Sequence, residues 1–296
     1  PRADSLSTSS ACRAGKFETH SRPMMYESHC HTPLCNHAVG DPTEYAAMAA
    51  RRGLTGLIVT CHNPMPNNFS ARVRMREDEF DTYIRLVEEA TAAWAGRVDV
   101  KLGLEADYFE GHEAYLERQL SSADFHFVLG SVHPQIDEFR DRYWQDDSRE
   151  VQRTYFRLLA QSAETGLFDS LAHPDLVKNF TSQDWHPDEI MDDISETLDR
   201  IAATGVAMEL NTSGVNKTIS EMNPFPEMLS QMQARNIPVT LGADAHQPGR
   251  VADGYEQALR LLAQSGYTHV SFFLHRQRQE IAISDALDSL SHARVA

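Results

Sequence analysis

The sequence predicts a single α/β domain whose parallel sheet closes into a barrel, and three observations carry that prediction. Short apolar runs alternate with longer segments of helical spacing, as strands alternate with crossover helices. The 296 residues suit one closed barrel, which typically takes about 250. No GxGxxG follows the first apolar run, which disfavours the open doubly wound sheet.

The runs fall at 25–31, 56–62, 98–108, 125–133, 168–174, 206–212, 237–246 and 269–274. Each is rich in Val, Ile, Leu or Phe and ends in turn or breaker residues, as buried parallel strands do. The segments between them read as helices. Asp41 serves as an N-cap, Pro42 takes the first helical position, Glu44 completes a capping box and Gly53 closes the helix. Phe80, Ile84, Val87 and Trp94 share one face of the next, which Gly96 terminates. Val151, Tyr155, Leu158 and Leu159 mark a third, ending at Gly166. Ile190, Ile194, Leu198 and Ile201 mark a fourth, ending at Gly205. Leu259 and Leu262 lie on the last clear one, before Gly266, and the segment after Ile283 fits either a short helix or a frayed tail. Residues 1–24 are polar, rich in Ser and Arg, and lack the apolar centre of a signal peptide. They are expected to be a disordered leader, Asp4 and Glu18 arguing against a transit peptide, and 25–296 are expected to form the barrel.

Composition narrows the function classes. At 41% hydrophobic and 24% charged, the chain is too apolar for a disordered one. Its 27 basic and 43 acidic side chains give a formal net charge of −16, which argues against nucleic-acid binding by phosphate neutralisation. No apolar stretch approaches the roughly 18 residues of a membrane span. The cysteines (Cys12, Cys30, Cys35 and Cys61) all lie in the first quarter without a CxxC pair, so they read as reduced thiols of a cytoplasmic protein. Nothing in the sequence specifies an oligomeric state.

Fourteen histidines are the unusual entry in the composition, and half of them are arranged. The first run ends in Ser28-His29-Cys30-His31-Thr32, where alternation points His29 and His31 the same way. The second ends at His62, the third carries Glu105, the fourth ends at His133, the fifth at His173 and the seventh at Asp244 and His246; His37 follows in the first loop. In a parallel barrel these strand ends share one rim, where active sites are built. One histidine at a strand end is usually a hydrogen-bonded structural residue, and Glu105 or Asp244 alone would read as a salt-bridge partner or a turn residue. Seven histidines and two carboxylates at one rim are a different matter. Neutral imidazoles and carboxylates are ligands for Zn, Mn or Fe, and nine exceed what one tetrahedral ion needs, so the reading is a multinuclear site.

The motifs HCHTPLCNH, GLEADY, GSVH, LAHPD and GADAH resemble those of the polymerase-and-histidinol-phosphatase (PHP) family, from about Met25 to at least Tyr255. GLEADY with GSVH and HPDLVK is most similar to the histidinol-phosphate phosphatase branch. The resemblance implies a distorted (βα)7 barrel of the TIM type with three divalent metal ions (Zn, Mn or Fe) at the strand ends. One ion would be held by His29, His31, Glu105 and Asp244. A second would share Glu105 and add His133 and His173, and the third would use His37, His62 and His246. The implied reaction is hydrolysis of a small phosphate ester, L-histidinol phosphate foremost, by metal-activated water. Asp244, Glu105 and His246 are then the candidate catalytic residues, with Asp244 both a ligand and an orienter of water.

Many members of the branch carry an arginine after the sixth strand. Here the stretch runs Asn211-Thr212-Ser213-Gly214-Val215-Asn216-Lys217, so that cation is either Lys217 or missing. Arg72, Arg74 and Lys178 are further candidate phosphate contacts, and Asp107 or Glu110 are candidates for the substrate amine. The rival readings are a phosphoesterase acting on a nucleotide or another small phosphate ester, and a metal-dependent amidohydrolase.

Overall fold

The computed structural model describes residues 24–292, so the leader expected over 1–24 lies, Met24 apart, outside the described residues. Nine strands form one sheet in chain order: β1 Tyr26–Glu27, β2 Gly56–Val59, β3 Asp99–Asp107, β4 Phe127–Ser131, β5 Ser170–Leu171, β6 Ala207–Asn211, β7 Val239–Gly242, β8 His269–Leu274 and β9 Gln277–Ala282. Strands β1 to β7 each pair in parallel with the next, and β9 returns antiparallel to β8. Past the ends of β1 and β7, a parallel bridge between Cys30 and Ala245 joins the first strand to the seventh. The His31 N–H donates to the Ala245 carbonyl and the Ala245 N–H to the His29 carbonyl, each at 3.0 Å. Seven strands thus close at their C-terminal ends, and β8 and β9 extend from β7.

The helices are α1 Pro42–Arg51, α2 Phe80–Trp94, α3 Glu113–Leu120, α4 Asp137–Tyr143, α5 Ser148–Glu164, α6 Met191–Thr204, α7 Pro226–Ala234, α8 Tyr255–Gln264 and α9 Ile283–His292. The capping box at α1 forms: Asp41 accepts from the Thr43 and Glu44 amides while Glu44 accepts from the Asp41 amide. Gly205 ends α6 in the left-handed region (φ 76°), where a Cβ would be strained. Helix α5 buries Val151, Tyr155, Phe156, Leu158 and Leu159, and α6 buries Ile194, Leu198 and Ile201, each worth about 1.5–3 kcal/mol relative to exposure. A second apolar cluster of Tyr26, Ile58, Phe127, Leu129, Phe272 and Phe273 comes from β1, β2, β4 and β8.

Two departures from the sequence reading bear on the site. β1 and β5 are only two residues long, where runs of seven were expected; beyond β1 the pairing resumes only at the isolated Cys30–Ala245 bridge. His173 (φ 29°), just past β5, and Asp244 (φ 47°), just past β7, hold left-handed backbone, the kind of strain that clusters at functional sites. The β8–β9 hairpin turns through His275 and Arg276, both at positive φ, instead of the Asn-Gly pair that advertises such a turn.

Candidate metal centre

All nine residues expected at the rim meet there. Glu105, at 0% exposure, is the hub. Its Oε2 lies 2.9 Å from His62 Nδ1, 3.4 Å from His29 Nε2 and 3.6 Å from His31 Nε2. Its Oε1 lies 3.2 Å from His173 Nε2 and 3.5 Å from His133 Nε2. Asp244 Oδ1 faces His31 Nε2 at 3.2 Å, His246 Nδ1 at 3.3 Å and His29 Nε2 at 3.7 Å. His37 and His246 bring their Nε2 atoms to 2.8 Å of each other.

Many of these atoms are buried with no hydrogen-bond partner: His29 Nε2, both ring nitrogens of His31, His62 Nδ1 and Glu105 Oε2. Buried polar atoms are nearly always paired, and leaving one unpaired costs about 1–3 kcal/mol. Several orphans converging on one point is the arrangement that cations resolve. Among the described residues five groups of donors lie close enough to share an ion: His29, His31 and Asp244; His62, Glu105 and His133; His31, His62 and His246; and two that include cysteine, His31 with Cys35 and Cys61, and Cys35 with His37 and His246. The donor set therefore suits several divalent ions. It differs in partition from the expected sets, because His62 sits beside Glu105 and His133 as well as near His246.

Residues behind the ligand candidates orient them. His133 Nδ1 meets Asp107 Oδ1 at 3.0 Å, and His37 Nδ1 meets the Cys35 carbonyl at 2.7 Å. His29 Nδ1 meets Glu209 Oε1 at 2.7 Å, and the other oxygen of Glu209 accepts from the His173 amide at 2.8 Å and Asn211 Nδ2 at 2.9 Å. Such partners fix the imidazole tautomer and free the opposite nitrogen for a metal. Glu27, fully buried, accepts from the amides of His29, Ala243 and Ala252 and from the Tyr255 hydroxyl, pinning β1 to the β7 loop. Glu209 and Glu27 were missed in the sequence. The signal was an acidic residue inside an apolar strand run, Ala207–Asn211 and Tyr26–Glu27, where only a buried partner makes a carboxylate tolerable.

Protonation follows from these contacts. Burial opposes charge on His29, but Glu209, Glu105 and Asp244 outweigh it and raise the imidazole well above its ordinary value. The same contest, won chiefly by Asp244, lifts His31 to about 9. Burial lowers His62 to about 4 and His246 to about 2, helped by neighbouring imidazolium charge. Burial also works against the carboxylates, yet His62 and His29 hold Glu105, and His29 and Lys217 hold Asp244, well below the usual range.

The centre opens into a cavity of about 960 Å³ lined by Glu105, Asp244, Phe180, Asn216, Lys217 and Arg250 among others. Lys217, 27% exposed, places Nζ 3.5 Å from Asp244 Oδ2, whose other neighbour is the Ser213 hydroxyl at 2.9 Å. The other expected phosphate contacts are each held by a carboxylate. Lys178 is fully buried and bound to Asp175 at 2.9 Å, Glu221 at 3.0 Å and the Met222 carbonyl at 3.0 Å, away from the cavity. Arg74 is 2% exposed and engaged by Asp107 at 2.5 Å. Arg72 is 83% exposed in an ion pair with Asp137 and lines a small cavity of about 150 Å³ beside His37, His62 and His133. Asp107 is likewise enclosed and not available to a substrate amine, and Glu110 is held by Arg142 at 2.9 Å.

Fold and site together define a metal-dependent hydrolase built on an α/β barrel. The chain belongs to the PHP domain family, whose model matches residues 27–213. It is 39% identical over 259 residues to a Deinococcus radiodurans protein named "Probable histidinol-phosphatase", covering 86% of this chain and 98% of that one. It is 27% identical to the histidinol-phosphatase of Bacillus subtilis, covering 79% and 97%. The crystal structure of histidinol phosphate phosphatase from Lactococcus lactis, complexed with Zn, L-histidinol and phosphate, superposes with a TM-score of 0.72 at 20% identity, covering 87% and 99%. Among the described residues, no helix is long and apolar enough to cross a membrane.

Proposed function

We propose that this protein is a phosphomonoesterase that hydrolyses L-histidinol phosphate to L-histidinol and phosphate. The observation that carries the reading is the convergence of unpartnered imidazole nitrogens and Glu105 Oε2 at the base of the cavity. The names of relatives matched over nearly their whole length support the substrate.

In this reading His29, His31, His37, His62, Glu105, His133, His173, Asp244 and His246 hold three divalent ions. When bound, such ions supply Lewis acidity, neutralising phosphoryl oxygens and making water acidic enough to lose a proton near neutral pH. The chain's own residues do the rest. Asp244 Oδ2, held by Ser213 and Lys217, orients the attacking water in line with the leaving oxygen. Lys217 meets the phosphate from the cavity side. Phe180 and Asn216 line the space left for the alcohol.

The test is phosphate release from L-histidinol phosphate, nucleoside monophosphates and an oligonucleotide, run beside elemental analysis. Preference for histidinol phosphate, abolished in the folded His29→Ala and Glu105→Ala proteins together with their metal, is the expected result. Preference for a nucleotide, or full turnover without metal, would overturn it.

A further inference from the structure

Arg74 is 2% exposed, and its guanidinium is buried directly behind the metal centre. Its Nη2 donates to Asp107 Oδ2 at 2.5 Å, and Asp107 Oδ1 sits 3.0 Å from His133 Nδ1. Its Nη1 donates to the Asn63 carbonyl at 2.9 Å and to Asn63 Oδ1 at 3.2 Å, on the residue that follows His62. The Asn63 amide in turn donates to the Glu105 carbonyl at 2.9 Å. The Arg74 carbonyl accepts from Asn36 Nδ2 at 3.0 Å, on the residue before His37. One residue in the loop between β2 and α2 therefore ties together three of the segments that bring histidines to the rim.

We infer that Arg74 is a positioning residue for the metal centre: it fixes Asp107 against His133 and Asn63 beside His62, so that both imidazoles present a nitrogen to one ion alongside Glu105. Three features favour this over a general structural role. The contacts go to two different strand ends, β2 and β3, and both lead to ligand candidates. The guanidinium fork is what permits it, since a point-charge ammonium would reach one end alone. Asp107 also takes the Ser131 hydroxyl at 3.0 Å, so its carboxylate is aimed by donors from three elements. The inference rests on the metal-dependent reading of the site, but its zinc-affinity readout does not need the proposed substrate.

The experiment measures zinc affinity of metal-stripped protein by competition with a chromophoric chelator, for the unaltered protein and for Arg74→Ala, Arg74→Lys and Asn63→Ala. Partners of this kind cost 10–100-fold in metal affinity when removed. Arg74→Ala is expected to weaken one zinc equivalent by about that factor, and Arg74→Lys and Asn63→Ala by less, about tenfold. Guanidinium ion at millimolar concentration is expected to restore part of the affinity to Arg74→Ala and none to Asn63→Ala. With saturating metal, KM for the phosphate ester stays within about twofold while kcat falls. Should Arg74→Ala misfold, Arg74→Lys and Asn63→Ala carry the test. Unchanged zinc affinity in the folded variants, or a rise in KM at full metal occupancy, would overturn the inference; the latter would return Arg74 to the substrate.

Discussion

Replacing Gly242 by alanine tests how tightly the metal centre is built, because the last residue of β7 touches the residues behind it. A Cβ at position 242 would fall 1.8 Å from Glu209 Oε1 and 2.6 Å from His29 Cβ, so something must move. Gly242 does not have positive φ, and the effect is therefore steric and not a matter of backbone freedom. Neither neighbour has slack. Glu209 is held by His29 Nδ1, the His173 amide and Asn211 Nδ2, and the backbone at His29 is held by the Ala245 bridge. Overpacking of this kind costs typically 1–3 kcal/mol, and displacing Glu209 gives up charge-assisted hydrogen bonds worth about 1.5–3 kcal/mol, so about 3 kcal/mol is a conservative total. At an unfolding entropy of about 2.1 cal/mol/K per residue, a chain this long loses about 5 °C in Tm for 3 kcal/mol. The assay is thermal unfolding with and without zinc, repeated on a Glu209→Ala background. If the clash with Glu209 is the cause, Gly242→Ala should cost less than half as much once Glu209 is gone. Strictly additive losses would refute the reasoning and leave the His29 contact, or nothing, as the explanation.

Three further outcomes follow from the same geometry. Lys217→Ala removes the cation beside Asp244, and losing one charge-assisted hydrogen bond to phosphate should raise KM about tenfold or more while metal content stays constant; unchanged KM would remove Lys217 from the substrate's surroundings. Lys178→Met leaves Asp175 buried without its cation and should destabilise by about 3–5 kcal/mol in urea, with kcat/KM of the folded fraction preserved; a selective loss of activity would instead restore Lys178 as a phosphate contact. In the metal-free protein His31 titrates at about 9, above its unfolded value of 6.5, so its stabilising contribution is complete below pH 6.5 and fades as pH rises through about 9. Divalent ions compete with that proton, so the gain in Tm on adding zinc should grow across this window; a gain that shrinks with rising pH would contradict the placement of His31 at the ion.

Much of this was legible because the signal lay in residue type at strand ends. The alternation of runs and helical segments predicted the barrel, and the capping residues at Asp41 and Gly205 marked real boundaries. The nine rim residues could be listed because HxH, Glu105 and Asp244 sit where parallel strands finish. What escaped was set by long-range contact. Glu27 is satisfied by amides 216 and 225 positions along the chain, a fact no local pattern carries. Lys178 and Arg74 looked like free cations because a sequence does not display Asp175 or Asp107 beside them. The short helices α3 and α4 bury two residues each, Leu116 with Gln119 and Phe139 with Tyr143, too few to register as a 3.6-residue period. The β8–β9 hairpin lacked turn residues and is held by tertiary contacts instead: Arg276 donates to Asp169 at 2.5 Å and to the Leu167 carbonyl at 2.8 Å.

The pairing of these cations changes what the net charge means. Of the four basic residues that a phosphate was expected to meet, Arg74, Lys178 and Arg72 are each matched to a carboxylate, and Lys217 lies 3.5 Å from Asp244. Arg250, which also lines the cavity, pairs with Asp253 at 3.1 Å. In the metal-free protein the positive charge on His29 and His31 is held against Glu209, Glu105 and Asp244, so a phosphate dianion entering this cavity meets little unmatched positive charge, on a chain whose formal net charge is −16. In the proposed reaction the attraction comes from bound ions, since a bound divalent cation is the largest local charge in such a site and reverses its sign. Affinity for inorganic phosphate should accordingly appear only with metal loading, and a metal-stripped protein that still binds phosphate would place the anion elsewhere on the surface.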